Sequence, residues 1–155
     1  MEAQNLESLI KKAIANEEEA RSFYLGLFDL VSDPIAKETL KFLAGEELAH
    51  KEFLLAYLKG EKKFSALPMD KPIDYHVAQY AAKPDPKADM NSSEVYLVAA
   101  HRELNSYKFY KGLAAAQPAG EVKDMLLSMA NQELKHKEKV EYLYSNTAFP
   151  QTAGG

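Results

Sequence analysis

The chain has 155 residues, of which 46% are apolar and 27% charged, and its net charge is -4. This size and composition allow a single domain, residues 1–155, whose core needs no disulfide; the absence of cysteine excludes disulfides, thiolate-bound metals and iron–sulfur clusters within the sequence. No basic stripe is present and no apolar run approaches the ~20 residues that span a bilayer, so we expect neither nucleic acid nor a membrane as a partner.

A first helix is predicted over residues 5–31, with Asn5 as its N-cap. The residues before it are polar and show no signal-peptide pattern, so we expect a soluble cytoplasmic protein. Apolar residues recur along this segment every three or four positions, which is helical spacing. Glu17 is the exception, because it lies about two turns from both Ile10 and Tyr24 on the stripe that should face a core.

A second helix is predicted over residues 34–59. Asp33 is its expected N-cap, Pro34 takes the first helical position, and Gly60 is a stop signal. Its inward stripe of leucines is interrupted by Glu47 and His50. Because a carboxylate buried without a partner is costly, this stripe requires something that compensates the charge.

Residues 61–91 lose the helical period and contain four prolines. A connection of this length is unusual in a compact domain, except in bundles whose second and third helices are joined by one long crossover. We therefore predict such a crossover, packed on the bundle by its aromatic and aliphatic residues. A short helical turn is predicted over residues 75–82, and His76 is interpreted as a surface or packing residue rather than a ligand.

A third helix is predicted over residues 92–116, with caps offered by the segment from Asn91 to Glu94. Glu103 interrupts its largely apolar inward stripe. His101 precedes Glu103 by two residues, which places it roughly on the opposite side of the helix, and we predict that it is exposed.

A fourth helix is predicted over residues 119–145. Its inward stripe is interrupted by Glu133 and His136, at the same spacing as the acid and histidine of the second helix. Residues 146–155 are predicted to form a frayed tail.

The two halves of the chain repeat each other without a gap. The unit Glu47-x-x-His50 recurs as Glu133-x-x-His136, and the positions differ by 86. A helical hairpin that occurs twice in the sequence predicts an all-α, antiparallel four-helix bundle with a pseudo-twofold axis. Other pairs at this offset are Ala13 and Ala99, Glu17 and Glu103, Phe23 and Phe109, Tyr24 and Tyr110, Leu40 and Leu126, and Lys51 and Lys137.

Four acids and two histidines are thereby predicted at one level of the bundle interior. Positions three apart on a helix share a face, so each Glu-x-x-His unit presents a carboxylate and an imidazole together. Four buried carboxylates would repel one another, whereas two divalent cations would balance their charge. Oxygen and imidazole donors suit iron, manganese or zinc, and di-iron and di-manganese bundles use this donor set. The predicted metal ligands are Glu17, Glu47, His50, Glu103, Glu133 and His136.

A longer motif accompanies the two Glu-x-x-His units. It runs Glu17-x-x-Ala20-x-x-Phe23-Tyr24 and recurs as Glu103-x-x-Ser106-x-x-Phe109-Tyr110. Over residues 5–145 these motifs resemble the rubrerythrin family of ferritin-like proteins. The resemblance implies that Glu47 and Glu133 bridge two metal ions, and that each ion has one terminal pair. Those pairs would be Glu17 with His50 and Glu103 with His136.

The resemblance implies a di-iron oxidoreductase in which two ferrous ions, ~3.5–4 Å apart, each give one electron to hydrogen peroxide or dioxygen. Manganese or zinc would fit the same donors. Tyr24 and Tyr110 lie two turns beyond Glu17 and Glu103 on the same stripes. They are candidates for hydrogen bonds to the ligands or for electron donation, with core packing as the plainer interpretation.

The sequence departs from the family in two respects. Full rubrerythrins carry a small iron–cysteine domain, and this sequence has no cysteine to build one, so a separate electron-donor protein is expected. Rubrerythrins also tend to carry a second acid one turn after the third-helix ligand, where this chain has Ser106. That difference places the rubrerythrin-type metal shift during peroxide reduction in doubt.

Two other classes of function are compatible with these residues. A ferritin-like protein that oxidises Fe(II) for storage or detoxification would use the same ligands. A metal-free helical interaction module would hold the acids in a buried salt-bridge network or a solvated seam. No feature marks a large cage, and a homodimer is the working assumption.

Overall fold

The computed structural model describes residues 3–61, 77–87 and 89–148. This part of the chain is all-helical and contains no strand, as predicted for a helical bundle. None of its helices has an apolar stretch long enough to cross a membrane. The helices are α1 (Ala3–Leu30), α2 (Pro34–Leu58), α3 (Val77–Tyr80), α4 (Ser92–Ala115) and α5 (Glu121–Ala148).

The turn between α1 and α2 has the predicted cap. The Asp33 side chain accepts a hydrogen bond of 3.0 Å from the Ile35 amide, and Pro34 opens the helix. Gly60 follows the end of α2 with φ +77, a left-handed conformation that favours glycine. The short turn around Asp33 and the packing of the two helices against each other make α1 and α2 an antiparallel pair.

Asn91 and Glu94 form a capping box at the start of α4, as the sequence suggests. The Asn91 cap is correct, but the cap predicted at Asn5 is wrong, because α1 already begins at Ala3. Alanine and glutamine before Asn5 are good helix formers and extend the helix. The prediction of a frayed tail from residue 146 is also wrong at its start, because α5 continues to Ala148, two residues before Pro150.

The long helices pack as two hairpins, α1 with α2 and α4 with α5. Across the bundle, α1 faces α4 through hydrogen bonds from Tyr24 to Glu103 and from Tyr110 to Glu17. On the other side α2 faces α5, where the His50 and His136 rings stack with centroids 5.1 Å apart. Both cross-bundle contacts use residues related by the offset of 86.

Two apolar clusters fill the interior, one towards each end of the bundle. One includes Tyr24, Leu40 and Leu43, and the other includes Ile10, Leu54 and Leu126. Along each long helix, the acids and histidines lie between residues of the first cluster and residues of the second. The polar groups are therefore enclosed by apolar side chains above and below.

The short helix α3 is fixed to the second hairpin at both ends. The Ala78 amide donates a hydrogen bond of 2.7 Å to Glu141, and the His101 ring nitrogen Nε2 lies 2.7 Å from the Ala81 carbonyl oxygen. The prediction that His101 is exposed is therefore wrong, because the segment after α3 covers it. The predicted short helical turn is present, whereas His76 lies outside the described residues.

Candidate metal centre

All six predicted ligands lie in the interior of the bundle. The four carboxylates have at most 1% of their surface exposed and the two histidines at most 6%. Each long helix contributes one of the acids, because its inward stripe carries a glutamate at the same level of the bundle. Helices α2 and α5 each add a histidine one turn later. The residues are Glu17, Glu47, His50, Glu103, Glu133 and His136.

The six side chains form two overlapping groups of potential ligand atoms. Within each group, one atom from every residue lies within 4.8 Å of the others. Glu47 and Glu133 belong to both groups, so the two groups share an edge. The first group is completed by Glu17 and His50, and the second by Glu103 and His136.

The histidines turn Nδ1 towards the carboxylates. His50 Nδ1 lies 3.2 Å from Glu133 Oε1 and 3.6 Å from Glu17 Oε1. His136 Nδ1 lies 3.4 Å from Glu47 Oε1 and 3.6 Å from Glu103 Oε2. Each imidazole thus contacts a carboxylate from the opposite hairpin, so the site depends on both halves of the chain.

Several potential ligand atoms of this cluster have no hydrogen-bond partner, although burying an unpartnered polar atom is costly. Both oxygens of Glu47 are in this state. A cation between the carboxylates would satisfy these atoms and balance the charge, which is the fit expected of a two-metal site. The other unpartnered atoms of the cluster are Glu17 Oε2, Glu103 Oε2, Glu133 Oε2 and His136 Nδ1.

The protein-family model of rubrerythrin matches residues 8–144, most of the chain. The chain belongs to the rubrerythrin family. The family expected from the motifs is thus confirmed, and membership together with the buried carboxylate–histidine cluster indicates a metal-binding protein. No curated protein and no solved structure matches the chain.

In this rubrerythrin-family site, the acids that belong to both ligand groups, Glu47 and Glu133, are called the shared acids, and Glu17 and Glu103 the outer acids. The pKa values of the two kinds of acid shift in opposite directions. Burial and the neighbouring carboxylates raise the pKa values of Glu47 and Glu133 well above 4.5. Burial also acts to raise the pKa of Glu17, but the neighbouring Glu47, His50 and Tyr110 hydroxyl outweigh it and lower the value to about 2. The raised pKa values favour the protonated form of the shared acids, and a cation bound there would compete with those protons.

The pKa of the second outer acid, Glu103, is also set by burial opposed by its neighbours. Burial raises the pKa of Glu103, but the adjacent His136 and the Tyr24 hydroxyl lower it overall. Burial lowers the pKa of His136, and the Glu103 carboxylate more than reverses this, so that the pKa rises above 6.5. His136 must lose its proton before it can bind a cation through Nδ1.

Tyr24 and Tyr110 donate hydrogen bonds to the outer acids rather than only filling the core. Tyr24 Oη lies 2.7 Å from Glu103 Oε1, and Tyr110 Oη lies 2.6 Å from Glu17 Oε1. Burial, followed by the nearby carboxylates, raises the pKa values of both phenols well above 10. Each phenol keeps its proton and leaves the second oxygen of its acid free for a cation.

Sequence reasoning missed the surroundings of Ser106. Its hydroxyl accepts hydrogen bonds from Arg102 Nη1 at 2.9 Å and from Asn16 Nδ2 at 3.4 Å. The repeat contained a signal, since Arg102 and Asn16 are related by the offset of 86 and flank the two outer ligands. Only the fold shows that the three side chains meet between α1 and α4.

Proposed function

We propose that this rubrerythrin-family protein is a di-iron carboxylate oxidoreductase that reduces hydrogen peroxide or dioxygen. The observation that carries the proposal is the pair of overlapping ligand groups that share Glu47 and Glu133. Two metal ions held at a shared carboxylate edge are the arrangement that di-iron bundles use. The donor set of oxygens and imidazoles suits iron, and also manganese or zinc.

In this proposal Glu47 and Glu133 would help to hold both ions, because only these two acids belong to both groups. Glu17 and Glu103 would each help to hold one ion, and each has one oxygen that its tyrosine leaves unpartnered. The histidines would take part through Nδ1, the nitrogen that faces the carboxylates. Four carboxylates and two divalent ions then have no net charge, which removes the cost of the buried acids.

Two ferrous ions would supply the two electrons that convert hydrogen peroxide and two protons into two water molecules. The chain's own residues prepare the site for that chemistry. Glu47 and Glu133, whose pKa values are raised, would give up any bound protons to a cation at the site, and the buried apolar clusters keep bulk water away. Tyr24 and Tyr110 hold the outer carboxylates in one orientation, which limits their movement as the charge at the site changes.

We also propose that the fold is a duplicated hairpin joined by a crossover between α2 and α4. The symmetric pair of tyrosine–carboxylate hydrogen bonds and the stack of equivalent histidines support the duplication. The attachment of α3 to α4 and α5 supports a crossover that returns along the bundle surface.

The proposed reaction needs a source of electrons. These 155 residues contain no cysteine for an iron–thiolate site, so we propose a separate electron-donor protein. A homodimer is proposed as the assembly. Small oxidants are the proposed substrates.

Repeated turnover tests this function against iron storage. Protein loaded anaerobically with Fe(II) is mixed with hydrogen peroxide and a steady supply of reductant, and peroxide loss is followed over many equivalents. We expect continuous consumption that Glu47→Ala abolishes. A single oxidation event per metal pair, with ferric mineral accumulating instead, would favour the iron-handling alternative and overturn the proposal.

A further inference from the structure

The outward face of α2 is open over about five turns of the helix. Residues three or four positions apart share a face of a helix, and all but one of the residues on this face are exposed; Glu46 is half-buried. We call these residues the α2 face: Ile35, Glu38, Lys41, Phe42, Gly45, Glu46, Ala49 and Glu52.

An aromatic ring and an empty space lie next to each other on the α2 face. Phe42 is 40% exposed, and Lys139 Nζ of α5 lies 3.7 Å from the centroid of its ring, which fixes one side of the ring. Gly45, one turn further along α2, has open space where a side chain would stand. A groove of about 440 Å³ surrounds this space, lined by Glu38, Lys41, Phe42, Gly45 and Glu46.

Charges of opposite sign flank the ring and the empty space. Lys41 directly precedes Phe42, and Glu46 directly follows Gly45. In the part of the chain that the structure describes, neither Lys41 nor Glu46 has an ion-pair partner in contact. The two charges are therefore available to groups outside this chain.

A two-fold axis beside the middle of α2 matches these features to one another. When two copies of α2 pack antiparallel about an axis midway between residues 42 and 45, Phe42 faces Gly45 of the second copy, and Lys41 faces Glu46 of the second copy. Glycine allows the close approach that the ring needs. Because a two-fold interface makes every contact twice, this short stretch supplies two ring contacts and two ion pairs.

The internal repeat shows that the fold does not require the ring or the glycine. The residues of α5 equivalent to Phe42 and Gly45 are Ser128 and Asn131, and α5 forms its hairpin with α4 without them. An exposed aromatic ring and a glycine inside a helix are both unfavourable in an isolated chain. Packing within one copy therefore gives no reason for either residue on α2.

We propose that the α2 face joins two copies of this chain into a two-fold symmetric dimer, with Phe42 of each copy seated against Gly45 of the other. A second copy is the partner that fits, because the face places its own ammonium opposite its own carboxylate and its own ring opposite its own open space. The proposal assigns an interface to the homodimer and does not depend on the metal chemistry.

Sedimentation velocity of the full chain over a range of concentrations tests the interface. We expect the unaltered protein to sediment with twice the chain mass of 17.3 kDa. Gly45→Leu fills the space that the partner's ring would occupy and should raise the dimer dissociation constant ~30-fold or more, the effect of losing an interface anchor. Its melting temperature should not fall, since leucine is the better helix former and the space is open.

A matched control for this variant lies on α4. Gly112 is also an exposed glycine inside a helix, with open space at its Cβ position, but it lies outside the α2 face. Gly112→Leu should therefore remain as dimeric as the unaltered protein.

Charge reversal tests the pairing across the axis. Lys41→Glu alone and Glu46→Lys alone each place like charges opposite one another, so each should raise the dissociation constant ~10-fold or more. The double variant Lys41→Glu with Glu46→Lys restores opposite charges and should recover most of the affinity. Circular dichroism shows that the variants keep their helices.

Cross-linking supplies a second measurement that does not depend on dimer affinity. Because these 155 residues contain no cysteine, introduced thiols react without a background. A mixture of Lys41→Cys and Glu46→Cys should form a disulfide-linked pair under mild oxidation. Each variant alone should cross-link little, because the antiparallel arrangement separates identical positions by about five residues, ~7.5 Å along the helix, which exceeds the reach of a disulfide.

The outcomes decide the interface separately from the proposed function. A monomer at every concentration would overturn the proposal and assign the α2 face to a different protein. A dimer that Gly45→Leu and both charge reversals leave intact, or cross-linking of Lys41→Cys alone as efficient as in the mixture, would also overturn it. Metal content and peroxide turnover test the di-iron function whatever the assembly is.

Discussion

Tyr24 of α1 donates a 2.7 Å hydrogen bond to Glu103 of α4. The equivalent bond in the other direction joins Tyr110 of α4 to Glu17 of α1, at 2.6 Å. Each tyrosine thus fixes the outer acid of the opposite hairpin and leaves that acid's second oxygen unpartnered. The two bonds connect the fold to the chemistry, because they hold the hairpins together and orient the proposed ligands at the same time.

Removing the tyrosine hydroxyl in Tyr24→Phe should therefore weaken metal binding, while the aromatic ring stays packed in the core. We expect ~10–100-fold lower affinity for Zn(II), the usual effect of losing a group that orients a ligand. The metal-free protein should lose ~1.5–3 kcal/mol of unfolding free energy, because a charged acceptor loses its donor. Competition with a chromophoric chelator measures the affinity, and Tyr142→Phe, at a 53% exposed position, is the control. Equal affinity in Tyr24→Phe and the unaltered protein would show that the bond does not orient Glu103.

Metal binding should release protons from the shared acids. Burial and like charge raise the pKa values of Glu47 and Glu133 well above 4.5, so both tend to be protonated in the metal-free protein. We expect roughly two protons released per chain when Zn(II) fills the site near neutral pH. Calorimetry in buffers of different ionisation enthalpy measures this number. Binding without proton release would mean that the shared acids are already ionised.

The same raised pKa values predict how stability depends on pH. A carboxyl whose folded-state pKa lies above its unfolded value of 4.5 stabilises the fold fully below that pH and loses this contribution as pH rises towards the folded pKa. His136 acts in the same direction above 6.5. The lowered pKa values of Glu17 and Glu103 act oppositely, but only as pH falls below 4.5.

The metal-free protein should therefore become less stable as pH rises above about 5, by up to ~1.4 kcal/mol per pH unit for each extra proton that the folded state holds. Denaturant unfolding across this range measures the slope. Glu47→Gln removes one titrating group and should flatten the slope, and it should also stabilise the metal-free protein by ~1–4 kcal/mol. An unfolding free energy that rises with pH over this range, or a pH slope that Glu47→Gln leaves unchanged, would contradict the assigned protonation.

A buried ion pair outside the metal centre anchors α3. Lys137 Nζ lies 2.9 Å from Glu141 Oε1, both side chains are fully buried, and Glu141 also accepts the Ala78 amide. Glu141→Leu removes the carboxylate and should cost ~3–5 kcal/mol, because the fully buried ammonium then loses this charged partner. Thermal or denaturant unfolding measures the loss.

The repeat supplies the matched control for this pair. Lys51, the equivalent of Lys137, makes a partly exposed pair with Glu18, at 3.0 Å. Lys51→Met should therefore cost ~0–1 kcal/mol, as is usual for surface pairs. The double variant Lys137→Met with Glu141→Leu should recover part of the loss, because it removes both buried charges of the pair. Equal effects of Lys51→Met and Glu141→Leu would rule out a special role for the buried pair.

Much of the fold was predictable because its signals are local or repeated. The cap at Asp33 and the capping box at Asn91 follow from short-range hydrogen bonds, and the offset of 86 relates the two hairpins. The position of His101 was not predictable, because a segment that follows α3 covers it, and neither periodicity nor charge indicates where such a segment packs. The start of α1 and the end of α5 differ because helix propensity extends past the first plausible cap.

The convergence of the six polar groups was predictable from helix periodicity, because each interrupts an apolar stripe at the same level. Their role as metal ligands is a proposal that the overlapping groups and unpartnered oxygens support. The pairing of Tyr24 with Glu103 required the orientation of α1 against α4, which single-helix patterns do not contain. For the same reason the hydrogen bond from Asn16 to Ser106, two residues 90 positions apart, was not predicted, although the offset of 86 relates Asn16 to Arg102.

The sharing of acids predicts different metal losses in two variants. Glu17 belongs to one ligand group, so Glu17→Ala should leave about one metal ion per chain. Glu47 belongs to both groups, so Glu47→Ala should leave little or none. Metal analysis after gel filtration distinguishes the two, with circular dichroism to show that both variants keep their helices. If Glu17→Ala and Glu47→Ala lose the same amount of metal, the assignment of Glu47 to both metal ions is wrong.

Iron content of the unaltered protein tests the central claim most directly. The protein is loaded with Fe(II) without oxygen, freed of unbound metal on a desalting column, and measured for iron against protein by elemental analysis. Two overlapping ligand groups predict about two iron ions per chain. Fewer than one ion per chain would show that the buried carboxylates and histidines do not form a metal centre.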